Sequence, residues 1–151
     1  MNLSGLLPLI ATAPAYQRFE AELLAGQADR TPLAVYEAAR PYLAARLAED
    51  LGRTTALIVA RSERARQIHE EMQVWLPPRA GLAQVQLLAD PDALPYERIP
   101  WSRETRQARL SALSALAQAG GASDAPRRLV VVASARALLQ KTLPPRELRL
   151  A

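Results

Sequence analysis

Short aliphatic runs alternate with longer amphipathic stretches along this chain, and the two patterns predict strands and helices in turn. Strands are predicted at residues 54–60, 85–88 and 129–133. The first of these runs is β-branched and aliphatic throughout, which is typical of a strand covered on both faces. We therefore expect a sheet buried between layers of helices.

The helix that precedes the first strand is predicted at residues 41–51. Pro41 suits its first turn and Gly52 its C-terminal stop. Its apolar stripe is predicted to consist of Leu43, Leu47 and Leu51. These leucines are expected to face the core.

Two longer helices are predicted between the strands. The first spans residues 62–75, with Ser62 as its N-cap. Its buried stripe is predicted to be Ala65, Ile68, Met72 and Trp75. The second spans Arg103–Ala119 and is expected to turn Leu110, Leu113 and Leu116 inward. Ser134 is predicted to cap a short final helix after the last strand.

The alternation of these elements indicates an α/β fold with a parallel sheet and helices on its faces. Residues 1–30 are expected to form a helical lead-in, broken into two pieces by Pro8 and Pro14. Residues 31–142 form the α/β domain. Residues 143–151 are interpreted as the start of a connection to a following domain, in a chain that has been truncated.

Composition excludes several kinds of chemistry. The chain of 151 residues contains no cysteine, which rules out disulfides and thiolate sites and is compatible with a reducing cytoplasm. His69 is the single histidine and is expected to be exposed, so neither a His-based metal cluster nor a Ser-His-Asp triad can form. Because no apolar run approaches the ~20 residues of a membrane helix, we expect a cytoplasmic protein without a membrane partner.

Charge is unevenly distributed. Residues 1–97 carry 9 Arg and 12 acidic residues, whereas residues 98–151 carry 10 Arg or Lys and 3 acidic residues, so the two parts have net charges of −3 and +7. A basic half suits phosphate or an acidic partner. An Arg-rich genome explains it equally well, because 18 of the 19 basic residues are Arg.

The basic part supplies the candidate contacts for a nucleic acid or a protein partner. They are Arg98, Trp101, Arg103, Arg106, Arg109 and Lys141. The spacing of Arg103, Arg106 and Arg109 predicts one shared helix face. Contacts within a larger protein are favoured over direct DNA binding by this face. Tyr96 and Trp101 could stack on bases, but anchoring of their loop to the core is favoured.

An α/β fold of this order raises the question of a phosphate-binding loop. Residues 34–41 have the placement and length of G-x-x-x-x-G-K-[ST], but the four defining positions hold Ala34, Ala39, Arg40 and Pro41. Pro41 offers neither hydroxyl nor N–H, and Glu37 would repel an anion. The segment, called the degenerate loop below, is therefore not expected to bind ATP.

Several motifs resemble, in order and spacing, the N-terminal region of the bacterial transcription-repair coupling factors, the Mfd family. They are the run Asp-Pro-Asp-Ala-Leu-Pro-Tyr-Glu at residues 90–97, the helix at 103–116, and the run from Leu129 through Lys141 to Pro144. The resemblance covers roughly residues 30–151.

This resemblance implies a three-layer RecA-like (P-loop NTPase-like) parallel sheet with a degenerate nucleotide site. The N-terminal module of that family is similar to the excision-repair helicase UvrB, which itself keeps a working P-loop. UvrB also has a long aromatic hairpin, and the stretch from Tyr96 to Arg103 is too short to form one. Both differences favour the coupling factors over UvrB.

The function implied is that of a non-catalytic domain that supports UvrA recruitment and interdomain regulation in transcription-coupled nucleotide excision repair. The full-length factor would be an ATP-dependent DNA translocase that displaces stalled RNA polymerase, with ATP and Mg²⁺ in its motor domains and no cofactor in this part. UvrA would bind mostly through the following domain, with an edge of its site near Lys141 to Arg149. Sister domains are further implied partners, and DNA and RNA polymerase would bind through the full-length protein. The alternative is a nucleotide-dependent helicase-like or DNA-binding domain of a UvrB-type repair protein.

Overall fold

Three parallel strands form the centre of the part of the chain that the computed structural model describes. The described residues are 2–26, 32–78, 84–93, 97, 99–120, 128–142 and 144. Strands β1 (Thr55–Val59), β2 (Gln84–Leu88) and β3 (Leu129–Ser134) lie in the order β1-β3-β2, and both outer strands run parallel to β3. The predicted alternation and parallel sheet are thus confirmed.

Helices flank this sheet. They are the 3-10 helix Ser4–Thr12, α1 (Pro14–Leu24), a 3-10 turn at Glu37–Ala39, α2 (Arg40–Leu51), α3 (Ser62–Trp75), α4 (Arg103–Ala119) and α5 (Ala135–Leu138). The lead-in therefore consists of two helical pieces, as expected, but only Pro14 marks their boundary, because Pro8 lies inside the first piece. None of the helices in the described ranges is long and apolar enough to span a bilayer.

The two faces of the sheet pack on different helices. On one face, Val130 and Val132 of β3 pack in a cluster with buried residues of α2 and α3. On the other face, Val131 and Ala133 pack in a cluster with Ala112 of α4. All six residues of β3 are buried, as expected of a central strand with helices on both sides.

Strand β1 departs from the prediction that both of its faces are buried. Leu57 and Val59 pack against the core, whereas Ala56 is exposed and Ile58 is 56% exposed. The reason is that α4 packs mainly on β2 and β3. The apolar run thus identified the strand correctly but was wrong about its second face.

Helix α2 has the predicted start and stop but buries a different face. Gly52 ends it with a left-handed φ of 58°, a conformation that glycine adopts without strain. The leucine stripe is wrong, because Leu43, Leu47 and Leu51 are only half-buried. The buried residues are Pro41, Ala44, Ala45 and Ala48. Small side chains let α2 lie close to α3 and the core.

Helix α3 matches its predicted span and buries Ala65, Ile68 and Met72 as expected. Ser62 is not its N-cap. The cap position belongs to Arg61, and no side chain caps this helix. Ser62 therefore occupies the first helical position.

Helix α4 has the predicted bounds, and its N-cap is Ser102, whose hydroxyl accepts a hydrogen bond from the Thr105 amide at 3.1 Å. The prediction that Leu110 faces inward is wrong, because this residue is 47% exposed. The helix instead buries Thr105, Arg109 and Ala112. A polar cluster at the start of α4 sets this orientation, as described below.

The lead-in is attached to α2 by two tyrosines. The Tyr16 hydroxyl donates to Asp50 Oδ2 at 2.5 Å, and Arg46 Nε donates to the same oxygen at 2.7 Å. Burial and the carboxylate of Asp50 raise the pKa of Tyr16. The Tyr42 hydroxyl donates to the Leu6 carbonyl at 2.8 Å and accepts from the Ile10 amide at 3.0 Å. The first helical pieces are thereby integrated into the α2 side of the domain.

Candidate functional site

Buried polar side chains gather at the carboxyl ends of β2 and β3, the edge at which open α/β sheets bind ligands. Ser134 ends β3 and is 0% exposed. Its hydroxyl donates to Asp90 Oδ1 at 2.5 Å and accepts from the Ala137 amide at 3.0 Å. One hydroxyl thus links the chain after β2 to the first turn of α5, and Ser134 caps that helix as predicted.

Arg109 projects from α4 into the same cluster and is only 4% exposed. Its Nη1 donates to the Ala89 carbonyl at 2.6 Å, and its guanidinium also lies 3.4 Å from the Ala137 carbonyl. The guanidinium carbon is 5.3 Å from the centroid of the Trp101 ring, within cation–π range. Burial lowers the pKa of Arg109, and the negative charge of Asp90 opposes that shift.

This position corrects the prediction of one exposed arginine stripe. Arg103 and Arg106 are exposed on α4, but Arg109 points inward and uses its donors on backbone carbonyls. The physical reason is the polar end of the sheet, where carbonyls beyond β2 and in α5 require donors that an apolar residue cannot supply. Helical spacing alone does not reveal this requirement.

The loop between β2 and α4 is held at its described ends. Asp92 Oδ1 accepts from the Thr105 hydroxyl at 2.6 Å, and Asp92 Oδ2 accepts from the Ser102 amide at 2.7 Å. Hydrogen bonds from Thr105 and then from Ser102 lower the pKa of Asp92. Arg136 of α5 donates to the Ala93 carbonyl at 2.9 Å. Residues 94–96 and Arg98 lie outside the described residues, so the expectations for Tyr96 and Arg98 stay predictions.

A groove of about 260 Å³ opens beside this cluster and is called the α4 groove below. Its lining residues are Trp101, Arg106, Arg109, Leu110, Leu113, Lys141 and Thr142. Four of the six candidate contacts therefore meet at one place. Arg103 lies outside it, on an adjoining depression that Arg106 and Leu110 also line.

Sequence reasoning missed Leu110, Leu113 and Thr142 as lining residues. Leu110 and Leu113 were assigned to the core by their helical spacing, and no sequence signal marks Thr142. The half-buried Trp101 packs against Arg109, which agrees with the anchoring role favoured for this ring.

The degenerate loop lies elsewhere, at the start of α2. Residues 32–36, directly before its 3-10 turn, are not in a strand, so the expectation that this segment has the placement of a P-loop is wrong. Ala34 and Ala39 line an apolar cavity of about 230 Å³. The other lining residues come from the lead-in, the loop itself and α2, and are Ile10, Ala13, Ala15, Tyr16, Phe19, Leu33, Val35 and Leu43. Arg40 is exposed, and Pro41 is buried in the first turn of α2.

His69 is half-buried on α3, so the expectation that it is exposed is wrong. Burial lowers its pKa, while a hydrogen bond with the Val85 backbone and the charge of Glu70 act in the opposite direction. Its Nε2 lies 3.3 Å from Gln73 Nε2. Across the described ranges, no three His, Asp or Glu side chains are grouped so that they could hold a metal ion.

Among the described residues, the α4 groove combines an aromatic ring, two leucines and three cationic side chains. It therefore offers apolar contacts together with positive charge. A scan against protein-family models found no match for this chain, and neither did a search of the curated proteins.

Proposed function

We propose that this chain is a non-catalytic RecA-like α/β domain of a transcription-repair coupling factor, in which it supports UvrA recruitment and interdomain regulation. The observation that carries the proposal is the apolar setting of the degenerate loop. Two of its four defining positions, Ala34 and Ala39, line a cavity with Tyr16 and Phe19 of the lead-in. Apolar side chains surround these two positions, whereas a phosphate-binding loop needs converging backbone amides.

The start of α2 is also unsuited to an anion. Pro41 has no N–H to donate, and no lysine or hydroxyl replaces the missing P-loop groups at the positions that define the motif. Glu37 sits in the turn before the helix and forms an ion pair with Arg64, with 3.2 Å between Oε1 and Nε. Its negative charge would oppose a phosphate here.

The segments that carry the family resemblance contact one another, which supports the proposed identity. Asp90 begins the first motif and Ser134 belongs to the second, and their side chains share the 2.5 Å hydrogen bond. Asp92, also in the first motif, binds the start of α4. The motif residues thus build one structural unit at the carboxyl edge of the sheet.

Thermal unfolding with Mg-ATP tests the non-catalytic part of this proposal. A ligand that binds the folded state raises the melting temperature by mass action. We expect no change in the melting temperature up to millimolar Mg-ATP, with Mg²⁺ alone as the control. A rise that grows with ATP concentration would contradict the proposal.

Titration of purified UvrA tests the partner. The measurement compares this chain with a form extended through the following domain of the natural protein. We expect UvrA to bind the extended form, and the Lys141→Glu substitution to weaken that binding if the edge of the site reaches Lys141. Failure of UvrA to bind either form would overturn the recruitment role.

Direct DNA binding is a second candidate, favoured by the exposed cations. Arg103, Arg106 and Lys141 form no ion pair with any described residue. If they bind DNA, affinity must fall steeply with salt, and Arg103→Ala with Arg106→Ala must reduce it. Arg109 stays unchanged in this test because it is buried. Fluorescence anisotropy of a labelled duplex at two salt concentrations measures both effects.

A further inference from the structure

We propose that the α4 groove binds an acidic, amphipathic segment of a partner protein, with apolar side chains on its floor and carboxylates at its two exposed cations. The inference concerns the chemistry of the segment and does not depend on whether UvrA supplies it. It rests on three properties of the groove, which are its apolar floor, its charge and its rigidity.

The floor presents apolar surface that the described part of the chain leaves open. Leu110 is 47% exposed in the middle of α4, next to the half-buried Leu113 and Trp101. A volume of about 260 Å³ is below the range of about 300–1,000 Å³ that is usual for small-molecule pockets. The groove therefore suits one or two side chains of a docked segment better than a cofactor.

The charge of the groove selects carboxylates. Arg106 and Lys141 are exposed at it and pair with no described acidic residue. Arg109 lies behind them, where the charge of Asp90 partly offsets its own. Since none of the described lining residues is acidic, Arg106 and Lys141 would attract an incoming Glu or Asp.

The groove is held in shape before a partner arrives. Arg109 is fixed between the Ala89 and Ala137 carbonyls and the Trp101 ring. Ser102 caps α4, and Ser134 caps α5, which leads to Lys141. The part of the groove around Arg109 and Trp101 is therefore ordered before binding, so the entropy cost of binding falls mainly on the exposed Arg106 and Lys141 side chains.

Nucleic acid fits this surface less well than a protein segment. Exposed Leu110 lies among the cations at the place where phosphates would have to approach. Trp101 has the Arg109 guanidinium against its ring, which reduces the surface on which a base could stack. A segment that combines apolar and acidic side chains contacts both the apolar floor and the exposed cations of the groove.

Binding of a designed peptide tests the proposal. The probe is a fluorescein-labelled helical peptide of about 12 residues, with two leucines one turn apart and glutamates flanking them. Fluorescence anisotropy measures its Kd for the folded chain at physiological salt. Matched peptides replace either every Glu by Gln or both leucines by Ser, and we expect each replacement to weaken binding about fivefold or more.

Variants of the protein locate the site. Arg106→Glu with Lys141→Glu should raise the Kd of the acidic peptide about tenfold, and Leu110→Ser about fivefold. The matched control is Arg103→Glu, an exposed charge reversal on the same helix but outside the groove, and it should change the Kd by less than about twofold. Thermal unfolding checks that each variant is folded.

Several outcomes would overturn the proposal. Absence of saturable binding up to about 1 mM acidic peptide would show that the groove does not recognise this chemistry. Equal weakening by Arg103→Glu and by the groove variants would reduce the effect to general charge attraction. Tighter binding of a labelled single-stranded oligonucleotide, lost in the same groove variants, would assign the surface to nucleic acid. The UvrA titration is a separate measurement, so its failure and the failure of the groove proposal are distinguishable.

Discussion

At the scale of single residues, the Ser134 hydroxyl joins two elements through one buried atom. It donates to Asp90 and accepts from the Ala137 amide, so it serves a carboxylate and a helix cap together. All buried side-chain nitrogen and oxygen atoms among the described residues have a hydrogen-bond partner. Every buried polar side-chain atom of this cluster therefore has a hydrogen-bond partner. Removing one member leaves its neighbours without that partner.

Replacing this hydroxyl is expected to destabilise the fold. Ser134→Ala leaves the buried Asp90 carboxylate without its hydroxyl donor and α5 without its cap, and should lower the free energy of unfolding by about 1–3 kcal/mol. Urea unfolding measures the change. Ser62→Ala is the control, because Ser62 makes no capping hydrogen bond at the start of α3, and it should cost less than about 0.5 kcal/mol. Equal effects of the two substitutions would contradict this account.

His69 gives stability a defined dependence on pH. Its folded-state pKa is lowered, chiefly by burial, so the unfolded chain takes up a proton first as the pH falls. Stability should therefore be unaffected well above pH about 6.5 and decline as the pH drops below that value. His69→Gln should remove this part of the decline. Unfolding free energies at pH about 7.5 and 5.5 test the difference, and an identical pH slope in the variant would show that other groups cause it.

At the scale of elements, α2 illustrates what periodicity can and cannot provide. The positions of Pro41 and Gly52 were sufficient to predict both ends of the helix, because each residue has a local conformational reason to stand there. The buried face was not predictable from hydrophobicity. Alanines face the core, and the larger leucines lie at the sides of the helix.

This orientation predicts an unusual ranking of substitutions on α2. Ala45→Leu forces a large side chain into a fully buried position and should cost about 1–3 kcal/mol. Leu47→Ala removes a half-buried side chain and should cost less, about 1 kcal/mol or below. Chemical unfolding of both variants gives the order. A larger loss for Leu47→Ala would mean that the leucine face is the packed one.

Helix α4 shows that periodicity also fails to identify which side chains form a candidate site. Its span was predicted to the residue, yet Leu110 and Arg109 exchange the roles that spacing assigned to them. The cause is tertiary, since carbonyls at the ends of β2 and in α5 require a donor, and Arg109 supplies it. Trp101, Arg106, Arg109 and Lys141 were candidates from the sequence, whereas the two leucines and Thr142 of the groove were not. Their convergence at one place depends on the chain after α5 returning to α4, which local pattern does not encode.

At the scale of the whole molecule, the sheet divides the domain into two unequal layers. The lead-in, α2 and α3 belong to the layer on one face, while α4 lies against the other and leaves β1 uncovered. The alternation of strands and helices was sufficient to predict parallel pairing, because a helix between strands brings the chain back in the same direction. The strand order β1-β3-β2 was not predictable, because the pattern of each strand does not encode which other strand lies beside it.

The two candidate surfaces lie in different parts of this molecule. The apolar cavity of the degenerate loop belongs to the lead-in side, whereas the α4 groove belongs to the opposite layer. Separate placement makes the two proposals independently testable. Mg-ATP reports on the first surface, and the acidic peptide reports on the second.

The partly uncovered strand β1 has a practical consequence for the isolated chain. Exposed Ile58 lies on an outer strand of the described sheet, and β1 pairs there with β3 alone. An apolar strand with a free edge is a template onto which another extended segment can add. Self-association of the purified chain is therefore expected to begin at β1. Ile58→Lys should reduce this self-association and leave the buried face of the sheet intact.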